Sequence, residues 1–212
     1  MRGDYKAPAF WREERLALAA LRHRAALSAL EPNFNVAEFF ERDLQRLYER
    51  GPITLEVRDL TGHRDFPACI KFAPLRLVID QDVWAEARLG EPCARYIAAH
   101  EFAHLYLHGG HELHFSDPNN VFRSWYMEEE STEWQAHAYA RHFLVPRSVV
   151  LQFATPNELA LTCDVTIDLA RRRFIEVHGF SGACCERCGN FAVLSDGTCL
   201  KCVPETLLTE RN

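Results

Sequence analysis

The chain has 212 residues, of which 48% are hydrophobic and 11% aromatic, and carries a formal charge of −6. That is enough apolar matter for one sizeable core plus a small appendage, and the acidic balance argues against general nucleic-acid affinity. The sequence shows no long apolar run and no secretory leader, since residues 1 to 24 mix Arg, Glu and Ala, so the expected location is cytoplasmic.

Residues 10 to 30 and 35 to 50 have helical periodicity, with Leu16, Ala20 and Leu27, then Phe39, Leu44 and Leu47, as core-facing positions. Gly51-Pro52 ends the second helix. Three short strands follow, at 53 to 57, 68 to 72 and 75 to 79, and should form a small sheet.

The next element carries the chemistry. Pro92 can open a helix and Gly109-Gly110 can close it, so residues 92 to 108 read as one capped helix containing His100-Glu101-Phe102-Ala103-His104. Four residues advance little more than one turn, so His100 and His104 project from one face and can reach one metal ion. Glu101 is turned about 100° from His100, near enough to act as general base on an activated water. Such a HExxH helix is the zinc-and-base core of many metallopeptidases. Apolar residues at Ile97, Phe102, Ala103, Leu105 and Leu107 lie on several sides, as in a helix buried within a core.

A catalytic zinc takes three protein ligands and keeps one position open. Leu107 and Gly110 stand where the metzincin pattern needs Gly and His, which excludes that class. His108 is too far along the helix to share a metal with His100, and reads as a neighbour of the ligands or as packing. The better third ligand is Glu133, in a helix-forming run from Glu128 to Pro146 in which Glu133, Ala136, His137 and Ala140 share a face. Glu129 and Glu130 on neighbouring turns are alternatives. Further helices are expected at 148 to 153, 157 to 161 and 164 to 177.

At the C-terminal end, Cys185-x-x-Cys188 and Cys199-x-x-Cys202 are spaced as two knuckles of a zinc ribbon, a closed four-thiolate structural site. Cys184 could replace Cys185. About thirty residues cannot bury enough surface to fold alone, so the metal would supply much of their folding free energy. Residues 181 to 212 carry more acidic than basic groups and make a poor phosphate clamp, so the segment is expected to contact a protein partner, cover the body of the enzyme or help recognise substrate. The remaining cysteines show no disulfide pattern, as in a reducing compartment.

Together, His-Glu-Phe-Ala-His-Leu-Tyr-Leu-His from residue 100 and Glu133-x-x-Ala136-His137-x-Tyr139-Ala140-x-x-Phe143-Leu144-Val145-Pro146 resemble the ImmA/IrrE family of metallo-endopeptidases, over about residues 35 to 180. The resemblance implies a zincin-like α+β fold, mostly helical, with a small sheet before the HExxH helix. It also implies His100, His104 and Glu133 as ligands of Zn2+ or Mn2+, Glu101 as catalytic base, and a domain over residues 1–180 followed by a ribbon at 181–212. The family usually carries Asn where this chain has His137, which puts a second titratable ring near the metal as transition-state donor or ligand neighbour. Members often cleave helix-turn-helix transcriptional repressors of stress-response or mobile-element systems, which makes a repressor the expected substrate. The competing expectation is a non-catalytic, metal-stabilised binding module acting with a protein partner in a toxin-antitoxin or phage-associated system. A third is hydrolysis of a small amide in a closed pocket.

Overall fold

The computed structural model describes residues 6–26, 31–48, 51–60, 67–72, 74–109 and 127–179, with single positions at 185, 187, 193 and 199. It is an α+β protein, mostly helical, with one three-stranded sheet. Two compact units are distinguished by their internal contacts, residues 1–144 and 145–212. The boundary expected at 180/181 adjoins residues outside the described set. No helix among the described residues is long and apolar enough to cross a membrane.

In the first unit, helices α1 (Glu13–Ala26) and α2 (Val36–Leu47) precede strands β1 (Thr54–Arg58), β2 (Ala68–Phe72) and β3 (Leu75–Asp80). Leu27, expected on the first helix, lies outside the described residues. β3 is the central strand: β1 runs parallel to it with Thr54 opposite Arg76, and β2 antiparallel with Ala68 opposite Ile79. Its position in the sheet agrees with its burial, Leu77 to Ile79 being inaccessible, whereas β1 is largely exposed.

Helix α3 (Gln81–Arg88) was not anticipated, and its cause is local. Asp80 ends β3 and caps the helix, its Oδ1 accepting from the backbone N–H of Asp82 at 2.9 Å while Oδ2 accepts from that of Leu60 at 2.7 Å. One carboxylate thus satisfies donors of a helix start and of the segment that follows β1.

Helix α4 (Pro92–His108) matches the expected span, with Pro92 in its first turn and the Gly109 N–H closing it on the Leu105 carbonyl. It is buried around nearly its whole circumference, including Ala98, Ala99, Phe102, Ala103, Leu105 and Leu107. A 3-10 turn at Glu128–Glu130 then leads into α5 (Thr132–Leu144). The expected single helix from Glu128 therefore begins four residues later. Ser131 is the reason: its Oγ accepts from the Trp134 N–H at 3.0 Å, the capping bond that defines a helix start.

α5 packs on both α4 and α1. Ala136, Ala138 and Ala140 are fully buried, and side chains this small let the helices approach closely. On the far side of α4, Phe102 meets Phe40, Tyr139 and Phe143, and Phe143 meets Phe34 and Phe39, with ring centroids 5.0–6.0 Å apart. Phe102 is two residues from each histidine of the motif. Helical geometry therefore turns the aromatic anchor away from the face that carries the two imidazoles.

The second unit holds a short helix α6 (Arg147–Val150), then α7 (Pro156–Cys163) and α8 (Ile167–His178). Thr155 and Thr166 cap the last two, and buried Arg173 donates to the Val145 carbonyl at 2.9 Å. Of the expected ribbon, half-buried Cys185 and buried Cys199 are described, and Cys199 forms an isolated antiparallel bridge with Val193. Cys184, Cys188 and Cys202 lie outside the described residues, as does Gly110.

Candidate metal centre

His100 and His104 meet Glu133 across the α4–α5 contact. The two Nε2 atoms are 3.1 Å apart, and each lies 3.3 Å from a different carboxylate oxygen of Glu133. The three side chains thus converge, a polar atom of each standing no more than 3.3 Å from one of the next. A tetrahedral ion held at about 2.0–2.1 Å would separate its ligand atoms by about 3.3–3.4 Å, and each of these three separations is close to that value. Glu133 stands in the first turn of α5, one turn before Ala136, whose lack of bulk keeps the approach open.

The electrostatics agree with this geometry. Burial raises the Glu133 pKa, but hydrogen bonds and attraction from His100 and His104 outweigh that cost and hold the carboxyl well below the usual carboxylate range. It is a permanently charged acceptor at neutral pH. Glu130 is engaged elsewhere, with Lys6 at 3.1 Å and the Met127 N–H at 3.0 Å. The neighbouring turns therefore do not compete for the site through this residue, and Glu133 is the acid that the fold delivers.

His137 completes the cluster. One ligand atom each of His137, His100 and Glu133 lie within 4.8 Å of one another, a group that could hold a metal ion. Glu133 and His100 are thus shared by two groupings, one with His104 and one with His137. His137 also has a competing partner: its Nδ1 is 2.8 Å from the Tyr96 hydroxyl. Its outer edge is exposed, while its ring packs 4.3 Å, centre to centre, from that of His100. Burial of that inner face, with repulsion from His100, lowers its pKa to about 4 despite attraction from Glu133. At neutral pH His137 is an uncharged imidazole with a hydrogen to donate, and it serves best as a polar group beside the three ligands.

Glu101 follows His100 on α4 and is buried. Helical geometry sets it about 60° round the axis from His104 and about 100° from His100, between the two ligand directions and the next face. His108 is buried too, but it faces His104 and Gln135 rather than Glu133. It is a neighbour of His104 and packs against α5.

Tyr96 and Gln135 escaped the sequence reading. Tyr96 sits four residues before His100, a spacing that places it on the histidine face, and this was the available signal. Gln135 offered none, because a glutamine within a helix is most often a solvated residue.

In comparison with known proteins, no family model matches the chain and no curated protein matches it. The functional reading therefore rests on the site itself.

Proposed function

We propose that the chain is a zinc-dependent endopeptidase acting on a protein substrate. The observation that carries this reading is the convergence of His100 Nε2, His104 Nε2 and the two carboxylate oxygens of Glu133, the nitrogens 3.1 Å apart and each 3.3 Å from one oxygen. Two neutral imidazoles and one carboxylate are the donor set of a hydrolytic zinc site, and Mn2+ also accepts it. A bound ion supplies Lewis-acid polarisation of the scissile carbonyl and an acidified water near neutral pH.

The remaining chemistry belongs to the chain. Glu101 takes the proton of water as the oxygen attacks the peptide carbonyl carbon, then returns it to the departing amine nitrogen when the C–N bond breaks. Neutral His137, held at Nδ1 by Tyr96, donates to the oxygen that gains negative charge. The substrate lies extended along an edge of the sheet. Among the described residues β2 pairs on one side, with β3, and packs on α4, so strand addition at its outer edge would lay a peptide beside the histidine helix.

This assignment agrees with the resemblance of the two motif helices to the ImmA/IrrE endopeptidases, and with it comes the proposal of a zincin-like fold and a helix-turn-helix repressor as substrate in the cytoplasm. The same reading makes Cys185, Cys188, Cys199 and Cys202 a structural zinc ribbon that contacts protein rather than nucleic acid.

The deciding experiment incubates a diverse peptide mixture, and separately a helix-turn-helix repressor from the same source, with zinc-loaded protein and with Glu101→Gln. Mass spectrometry should find cleavage by the wild type and a loss of about 100-fold to 10,000-fold in the variant, with zinc retained. Undiminished cleavage by Glu101→Gln would remove the base from the mechanism. Binding of the repressor by both proteins, without cleavage by either, would favour the partner-binding alternative.

A further inference from the structure

The hydrogen-bond chain behind His104 has a direction, and the direction begins at the main chain. Gln135 is fully buried. Its side-chain Nε2 lies 2.9 Å from the Ala9 carbonyl and 2.9 Å from the Glu129 carbonyl. Carbonyls only accept, so both amide hydrogens are committed to them and the opposite amide orientation would set oxygen against oxygen. The Gln135 Oε1 can then only accept.

It faces His108 Nε2 at 3.1 Å, so this nitrogen must carry the hydrogen. A neutral imidazole has one N–H, which leaves His108 Nδ1 as an acceptor. The group opposite is His104 Nδ1 at 3.3 Å. For that contact to be a hydrogen bond, His104 must carry its hydrogen on Nδ1, and its lone pair is then on Nε2. That atom is the one that stands 3.1 Å from His100 Nε2 and 3.3 Å from Glu133.

We infer that His108 and Gln135 are positioning residues that hold His104 as the Nδ1–H tautomer, so that two backbone carbonyls, of Ala9 and Glu129, direct the lone pair of a metal ligand toward the ion. The inference rests on reading the convergence of His100, His104 and Glu133 as a metal centre and adds what orders it. Metal binding by histidine needs an unprotonated ring nitrogen, and an unconstrained imidazole is free to put its hydrogen on either one. The relay removes that freedom before an ion arrives. His100 offers the contrast, because its buried Nδ1 has no hydrogen-bond partner among the described residues.

The relay also connects the N-terminal segment to the centre. Residues 6 to 9 lie along the 3-10 turn and the start of α5, through a bridge of Lys6 with Ser131 and a hydrogen bond of 2.6 Å from the Ala7 N–H to the Glu130 carbonyl. One of the two acceptors that fix Gln135 is thus supplied from the far end of the chain.

The test uses full-length protein. Long-range 1H–15N spectra of the metal-free wild type, labelled at histidine, should show His104 protonated at Nδ1 and His108 at Nε2. Zinc titrations against a competing chelator then compare wild type with His104→Ala, His108→Phe, His108→Gln and Gln135→Leu, the equivalent lost in His104→Ala marking this centre. His108→Phe and Gln135→Leu should bind that equivalent about 10-fold to 100-fold more weakly, the usual cost of losing a partner behind a metal ligand. His108→Gln keeps an acceptor on one side and a donor on the other, and should recover most of the affinity. A wild-type His104 protonated at Nε2 overturns the inference and needs no variant to fold. So does unchanged affinity in folded His108→Phe and Gln135→Leu when His104→Ala has lost its equivalent. Identical zinc binding by wild type and His104→Ala would instead bring down the metal reading itself.

Discussion

His23 should make the protein acid-sensitive well above the pH at which carboxylates protonate. Its ring stands edge-on to Tyr106 with centroids 4.3 Å apart, and lies 5.8 Å from Phe102 and 5.9 Å from Tyr139. It thereby ties α1 to both α4 and α5. Burial lowers its pKa from 6.5 to about 4. Its Nδ1 is hydrogen-bonded to the Tyr139 hydroxyl, and burial raises the Tyr139 pKa well above 10, so that the hydroxyl keeps its hydrogen and donates it. Above pH 6.5 the imidazole is neutral whether the chain is folded or not, and the full stability is present. As pH falls from 6.5 to about 4, the unfolded chain takes up a proton that the folded chain refuses, and by pH 4 the loss is about 3 kcal/mol. That is a large share of the roughly 5–15 kcal/mol that holds a typical domain together. Urea unfolding with chelator present, at pH 7, 5.5 and 4, should be measured for wild type and His23→Phe. The variant loses the Tyr139 bond, a pH-independent offset of about 1 kcal/mol, and loses the titration. The difference between the two proteins should therefore shift by about 3 kcal/mol across the window, in favour of the variant at low pH. A constant difference would refute the claim that His23 is kept neutral by burial.

Ala136→Leu adds volume at a fully buried position one turn from Glu133, and should cost about 1–3 kcal/mol in denaturant unfolding while weakening zinc binding, because α5 can only relieve the clash by moving off α4. Arg24 donates at 3.0 Å and 3.2 Å to the Phe143 and Leu144 carbonyls at the end of α5, so Arg24→Met should destabilise by about 2–4 kcal/mol in the same assay, as these buried acceptors lose their partner. Adding zinc at about 100 times its dissociation constant should stabilise the metal-free wild type by about 2.7 kcal/mol, a rise of about 5–10 °C in its melting temperature. His100→Ala should lack the part of that rise due to this centre; an equal rise would place the metal elsewhere.

Elements whose causes lie within a few residues were the ones legible in the sequence. Pro92 and Gly109 delimit α4 by local backbone chemistry, and the spacing of His100 and His104 fixes their common face whatever the helix packs against. The strands at 68–72 and 75–80 followed from short apolar runs between breakers. α3 is not legible by the same rules although Asp80, Trp84 and Ala87 are a cap and a buried stripe, because eight residues are too few for an apolar period to declare itself. The acidic run 128–130 looked like a first helical turn, yet the stronger cap at Ser131 delays the helix.

At the site, Glu133 could be singled out from its neighbours only by its face on a second helix. Gln135 and His23 were unreadable because each acquires its role from a partner distant in the chain. Gln135 is 126 residues from Ala9 and His23 is 116 from Tyr139.

The amino-acid order alone determined that two imidazoles and a glutamate share one helix, since a turn of α-helix has the same geometry in any surroundings. Folding decided which acid meets them, how far apart the ligand atoms stand, and which ring nitrogen carries its hydrogen. Those properties depend on the contact between α4 and α5 and on main-chain carbonyls brought from elsewhere. Distances of a few tenths of an ångström between side chains on different helices are set by the packing of the whole core, and no local pattern encodes them.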